Sequence, residues 1–240
     1  MSNRIEVAWS SLNATPILWL TLTLMCYLAA IWLYRRCGNN PLLLPVLTAV
    51  MLVVGVLIVT DTPYDVYARS TSFLTFLIGP ATVALAVPLY SQFHRLKQLW
   101  WPICIALFAG SLTAILSAVG IAWALGASNV TLLSLAPKSV TMPIAMEVAQ
   151  LSGGLPSFTT VAVAITGISG AIMAGSLLKW LRITDPVVEG FALGVSAHAI
   201  GTARALQKNE VAGAFAALGM GLNGVITAIL VPLLLALSLF

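Results

Sequence analysis

Apolar residues in this chain come in long unbroken runs, and the polar breaks between the runs are short. At roughly 20 residues per span, the pattern predicts seven or eight hydrophobic segments. They lie at about 16–34, 41–60, 71–93, 100–125, 131–150, 156–178, 187–207 and 211–239. An outer-membrane barrel would instead show ~10-residue stretches of alternating character, so the runs read as helices. The expected fold is all-α and integral to the membrane, a single polytopic domain over 1–240. The first run is too long for a cleaved signal segment and ends in Arg35-Arg36, so it reads as a retained span. The residues before it, with Arg4 and Glu6, read as a short tail.

A weak repeat lies over these runs at an offset of 115 residues, pairing Gly38 with Gly153, Pro41 with Pro156, Gly55 with Gly170 and Gly79 with Gly194. The offset then slips by one, so that Gly110 and Thr113-Ala114-Ile115-Leu116 match Gly224 and Thr227-Ala228-Ile229-Leu230. Repeat one covers about 16–125 and repeat two about 131–239. Gly79-Pro80 and Pro88 interrupt one segment, and Gly190, Gly194 and Gly201 interrupt its counterpart. Pro137 and Pro143 break a third, each lacking a backbone N–H and each disfavouring helix at the residue before it. Secondary transporters pair related halves around such broken helices. Kinked helices packed on glycine would leave the same trace.

Charge sharpens the topology. Only 8% of the residues are charged and 60% are hydrophobic, with a net charge of +4. Soluble domains carry about 25% charge, and the mean hydropathy of +1.03 points the same way. Basic residues cluster between the runs as Arg35-Arg36, Arg95 with Lys97, and Lys179 with Arg182, the placement that cytoplasmic loops favour. With all three clusters inside, residues 126–155 must leave and return on the outer side as a re-entrant element. Segments 41–60 and 156–178 then run in opposite directions, an inverted repeat. Eight crossings with Lys179 outside is the alternative. Cys26, Cys37 and Cys104 are scattered, with no CxxC pair.

Against this background Lys138 stands out, since an ammonium at membrane depth costs roughly 2.5–3.5 kcal/mol and belongs in a cavity or beside a partner. Ser139 and Thr141 add hydroxyls, which suit a carboxylate site. The bland reading is an ion pair with Glu147, which could equally face water or carry a coupling proton. A second polar island holds Gly194, His198, Gly201, Thr202 and Arg204. His198 can titrate near neutral pH and pass a proton, and Arg204 offers a planar fork to a carboxylate or snorkels beside Lys208. Asn223, between Gly221 and Gly224, reads as a helix–helix bond. His94 and His198 are far apart with no HExxH setting, and GxSxG and Walker motifs are absent, so neither an enzyme nor a metal or other cofactor is expected.

Pro137-Lys138-Ser139-Val140-Thr141-Met142-Pro143-Ile144-Ala145-Met146 and Ala197-His198-Ala199-Ile200-Gly201-Thr202-Ala203-Arg204-Ala205-Leu206 closely resemble signature segments of the LrgB/CidB family, and the likeness runs from about 41 to 235. That family was first described as holin- or antiholin-like regulators of murein hydrolase and lysis. Its relatives are implicated in bacterial pyruvate transport and in glycolate/glycerate exchange across the plastid envelope. The resemblance implies a pocket of Lys138, Ser139, Thr141, His198, Gly201, Thr202 and Arg204. It also implies a small LrgA/CidA-type membrane partner. The chain departs from the family at Ala216-Ala217, where paired serines are usual, and at Glu147, where a small uncharged residue is usual.

The expectation is therefore a multi-pass protein of the bacterial inner membrane that carries small monocarboxylates by alternating access. A holin/antiholin-like pore or regulator of autolysis is the alternative. Expected partners are the bilayer, a small carboxylate anion, the LrgA/CidA-type protein and further copies in a homo-oligomer. Nucleic acid is not expected.

Overall fold

Proline marks where the helices begin. Pro16, Pro45, Pro143, Pro156 and Pro186 each sit in a first turn, where the missing N–H has no helical partner to lose. A computed structural model describes residues 15–38 and 40–237, and every element in them is helical. The tail expected to hold Arg4 and Glu6 lies outside the described residues. Two compact units divide at Ala84/Leu85, well before the boundary between the expected repeats at 125–131.

The first unit holds α1 (Pro16–Arg36), a 3-10 turn (Pro41–Leu43), α2 (Pro45–Val59), α3 (Tyr64–Ser70) and α4 (Ser72–Ala84). Trp19 is fully buried there, edge-on to Tyr67, whose hydroxyl lies 3.0 Å from Thr23 Oγ1. Gly79 and Pro80 lie within α4 and do not divide it. The following turn is at Leu85.

The second unit holds α5 (Ala86–Ser91), α6 (Phe93–Ala124), α7 (Asn129–Leu135), α8 (Met142–Ser152), α9 (Pro156–Trp180), α10 (Pro186–Lys208) and α11 (Glu210–Ala236). Here α6, α9 and α11 are long and apolar enough to cross a bilayer. The 131–150 segment is instead two short helices separated by residues 136–141. After α8 the chain returns to α7, where Leu155 N–H donates to Ser134 Oγ (2.7 Å) and Thr159 Oγ1 donates to Ser134 O (2.9 Å). Residues 129–155 thus leave one end of the unit and come back to it.

Segment 187–207 is a different object from the interrupted helix its glycines suggest. The break falls at His198, with φ 42° and ψ −130°. Gly194 is regular helix, and Gly201 follows the break. In a straight helix Glu189 and Lys208 would be about 28 Å apart. Their carboxylate and ammonium meet at 2.7 Å. The element is therefore a hairpin of two helical arms, 186–197 and 199–208, and not a span. A double-mutant cycle on Glu189→Gln and Lys208→Gln should show about 1 kcal/mol of coupling, and none if the two arms were collinear.

Close backbone approach holds the hairpin in place. Gly190 and Gly194 lie so near α11 that a Cβ on either would overlap the carbonyl of Ala212 or Ala216. On α11, Gly219 meets Phe191 O and Gly213 meets Leu206. This is the small-residue packing that membranes favour, where apolar side chains gain little from leaving lipid. Along α9, Gly167 makes room for the His198 ring and Gly170 for Ala197.

Leu99 and Pro102 at the start of α6 share a cavity wall with Asp185 and Val187 at the start of α10. Arg95, Lys97, Lys179, Arg182 and Lys208 therefore gather at one end of this unit. An excess of Lys and Arg is the mark of cytoplasmic loops. Residues 129–155 turn back from the opposite end and α10 from this basic end, each as a re-entrant hairpin beside the long helices α6, α9 and α11.

Candidate functional site

The two re-entrant elements meet on α9. Val140, at the tip of the first, packs with Ala145 against Val163. Val163 O is also 3.0 Å from His198 Nε2, at the tip of the second. Each tip has left regular helix at this depth, so each has backbone groups to satisfy without water.

Asn223 of α11 does this for both. Its Nδ2 donates to Ser139 O (3.0 Å) in the first loop and to Val195 O (3.0 Å) in the second. The helical partner of Val195 O would be the amide of Ala199, beyond the break. Its Oδ1 accepts from Ser111 Oγ of α6 (2.6 Å) and from Thr227 Oγ1 (3.4 Å). At the break itself, His198 O accepts from Thr202 Oγ1 at 2.8 Å.

Lys138 sits on the first tip in a tight turn, with its amide donating to Leu135 O (3.1 Å) and Val140 N–H donating to Pro137 O (3.2 Å). Pro137 follows α7, and Pro143 stands in the first turn of α8, so the prolines bracket a non-helical stretch. The ammonium is half-buried and 3.5 Å from Ser139 Oγ. Among the described residues it has no carboxylate partner. Glu147 is exposed on α8 and makes no ion pair with it.

A cavity of about 510 Å³ opens beside Lys138 between α6 and the 186–197 arm. Lys138, Ser139, Ser196 and Asp185 are its polar wall residues. Of the residues expected from the sequence, this cavity gathers Lys138 and Ser139. Thr141 is half-buried at the start of α8, its hydroxyl not capping the helix. His198, Gly201, Thr202 and Arg204 lie on the hairpin's other faces. The imidazole is buried against α9. A Cβ on Gly201 would come 2.5 Å from Leu193 O, which explains glycine at the inner turn. The Arg204 guanidinium donates to Ala171 O on α9, away from Lys138. Arg204 therefore binds a neighbouring helix where the sequence suggested a ligand or a snorkelling tail.

Sequence reasoning passed over Ser111, Asp185 and Ser196. Ser196 lies inside the second polar island. Ser111 and Asp185 have no local signature, because each is defined by what the fold brings to it.

The LrgB-like family profile matches residues 23–237. Uncharacterized protein YxaC of Bacillus subtilis is 39% identical over 217 residues, covering 90% of this chain and 94% of its own length. YwbG of the same organism, also uncharacterized, is 36% identical over 90% of this chain and 96% of its own length. The antiholin-like protein LrgB of Bacillus cereus is 29% identical over 91% of this chain and 95% of its own length. No solved structure matches the chain. With five long apolar helices among the described residues and a family match over most of its length, this multi-pass bacterial membrane protein belongs to the LrgB-like family.

Proposed function

We propose that this protein carries small carboxylate anions across the membrane, binding them at Lys138. The observation that carries the reading is an ammonium with no carboxylate partner among the described residues, at the tip of one re-entrant element that shares Val163 with the tip of another. Intramembrane charge of this kind is functional by default. Helix dipoles add to it, since α8 and the 199–208 arm both begin at the tips and direct their positive ends inward. A crossing helix plus a hairpin occurs twice in opposite orientation, as α6 with 129–155 and as α9 with α10. Alternating access follows if each hairpin closes the path to its own side. This pairing lies within the second unit and is shorter than the 115-residue repeat.

The test is uptake of labelled pyruvate or glycolate by the purified chain in proteoliposomes. Lys138→Met should weaken binding roughly ten- to a hundredfold, because hydrogen bonds to charged groups are worth about 1.5–3 kcal/mol. Undiminished saturable uptake removes Lys138 from the site.

Similarity to the antiholin-like protein LrgB of Bacillus cereus favours a second reading, an antiholin-like regulator acting with an LrgA-type partner. Non-saturable leakage of large solutes, scaling with protein density, would favour it. Neither reading calls for covalent chemistry.

A further inference from the structure

We infer that His198 is a positioning residue for the anion site: its ring seats the second re-entrant tip on α9, beside the tip that carries Lys138. The inference rests on the reading that Lys138 binds the anion. Residue 198 has φ 42° and ψ −130°, a backbone that suits glycine and strains a residue with a Cβ. A bulky side chain nevertheless stands there, only 3% exposed. The local backbone gives no reason for it, so the reason lies in what the ring touches.

The ring enters a notch in α9. Nε2 is 3.0 Å from Val163 O, and a carbonyl only accepts, so Nε2 carries the hydrogen and donates. One turn on, a Cβ at Gly167 would come 2.6 Å from Cε1 and 2.7 Å from Nε2 of this ring. Gly170 admits the neighbouring Ala197, whose methyl would lie 3.0 Å from a Cβ there. Two glycines of α9 thus match two successive residues of the tip. By the i→i+4 pattern of α9, Val163 O also accepts the Gly167 amide. The bond from His198 is therefore added to a complete helix, and it fixes where the tip stands without being needed for α9 to form. Val163 serves the other element with its side chain, which packs against Val140 and Ala145. One residue of α9 holds both tips, and Lys138 lies two positions before Val140. Asn223 bonds both Ser139 O and Val195 O, so a shift of the second tip passes to the residue next to Lys138.

The test uses the full chain in lipid nanodiscs, with two readouts. The first needs no ligand: nitrogen NMR of the His198 ring, after His94→Asn removes the other of the two histidines. The ring should hold one state protonated at Nε2, and Gly167→Ala, whose methyl overlaps it, should abolish that state. The second readout is pyruvate affinity by calorimetric titration. His198→Gly should fold, since glycine takes this backbone without strain, yet bind pyruvate about two- to tenfold more weakly, the worth of one hydrogen bond. Gly167→Ala should weaken binding by a similar factor in the parent. It should add nothing in His198→Gly, where its methyl meets only the flexible end of Ile200. His198→Asn, less averse to positive φ than most residues, has an amide that stops short of Val163 O and should match glycine. Parent-like affinity in both His198 variants overturns the inference and leaves the Lys138 site standing. Ring signals indifferent to Gly167→Ala, or losses from the two substitutions that multiply, put the ring outside the notch and overturn it too. Pyruvate binding that Lys138→Met leaves unchanged removes the anion site itself, and the inference falls with that reading.

Discussion

Gly194→Leu is expected to yield no folded, monodisperse protein. The α-carbon of Gly194 lies against the backbone of Ala216, and even one methyl would overlap the Ala216 carbonyl. A carbonyl cannot turn aside as a flexible side chain can, so α10 and α11 would have to separate along their length. Gly190 against Ala212 repeats the contact one turn earlier, so the strain has no local outlet. Overpacking of a close interface costs 1–3 kcal/mol or more, and here it also unseats the hairpin that carries His198. The matched control is Gly221→Ala, where a Cβ meets nothing within 4 Å. That change should be neutral or stabilising by up to about 1 kcal/mol, as Gly to Ala is in an open helix position. Size-exclusion profiles and detergent melting of both variants check this. A folded Gly194→Leu with unchanged melting would mean the two helices do not touch there.

Asn223→Ala should destabilise the protein by roughly 3–4 kcal/mol, since a buried group left without its partner costs about 1–3 kcal/mol. The substitution orphans Ser139 O in one loop and Val195 O in the other, and removes the acceptor of the Ser111 hydroxyl. The side chain is 1% exposed, so water cannot replace it cheaply. Asn223→Asp keeps an acceptor but loses both donors, and should do no better. A reversible unfolding titration gives the magnitude. Ligand-dependent melting at a temperature where the variant stays folded gives a second readout, because Lys138 is the neighbour of the carbonyl that Asn223 holds. Stability within about 0.5 kcal/mol of the parent, the range of a surface change, would show that the two tips are not joined through this amide.

Much of the first re-entrant element was legible before any coordinates. Pro137 and Pro143 remove backbone donors, a local fact that needs no neighbours, and the polar bracket between them could only be non-helical. The second element was legible as a polar island but not as a hairpin. Nothing at position 198 forbids helix, and the reversal costs roughly 1–3 kcal/mol of backbone strain that only surrounding contacts can offset. Val163 O, Thr202 and Asn223 supply them from as far as 35 residues away. The glycines misled for a related reason. A missing Cβ can serve a turn in its own backbone or the approach of another chain segment. At Gly194 it serves the approach, while Gly79 lies within α4 with open space around it.

Asn223 illustrates the limit from the other side. Its type and its glycine neighbours announce a bond across helices, yet not which helices. Residue chemistry alone therefore established a helical membrane protein, the clustering of its basic residues between the apolar runs, and an ammonium within an apolar stretch, because run length, charge and missing donors act over a few positions. The fold decided that two segments turn back without crossing, that Arg204 binds a neighbouring helix instead of the cavity, and that Lys138 faces an apolar hollow. Those outcomes depend on which carbonyls are left bare by one segment and answered by another, and pairings across 28 or 84 positions leave no periodic trace in a chain so rich in alanine, leucine and glycine.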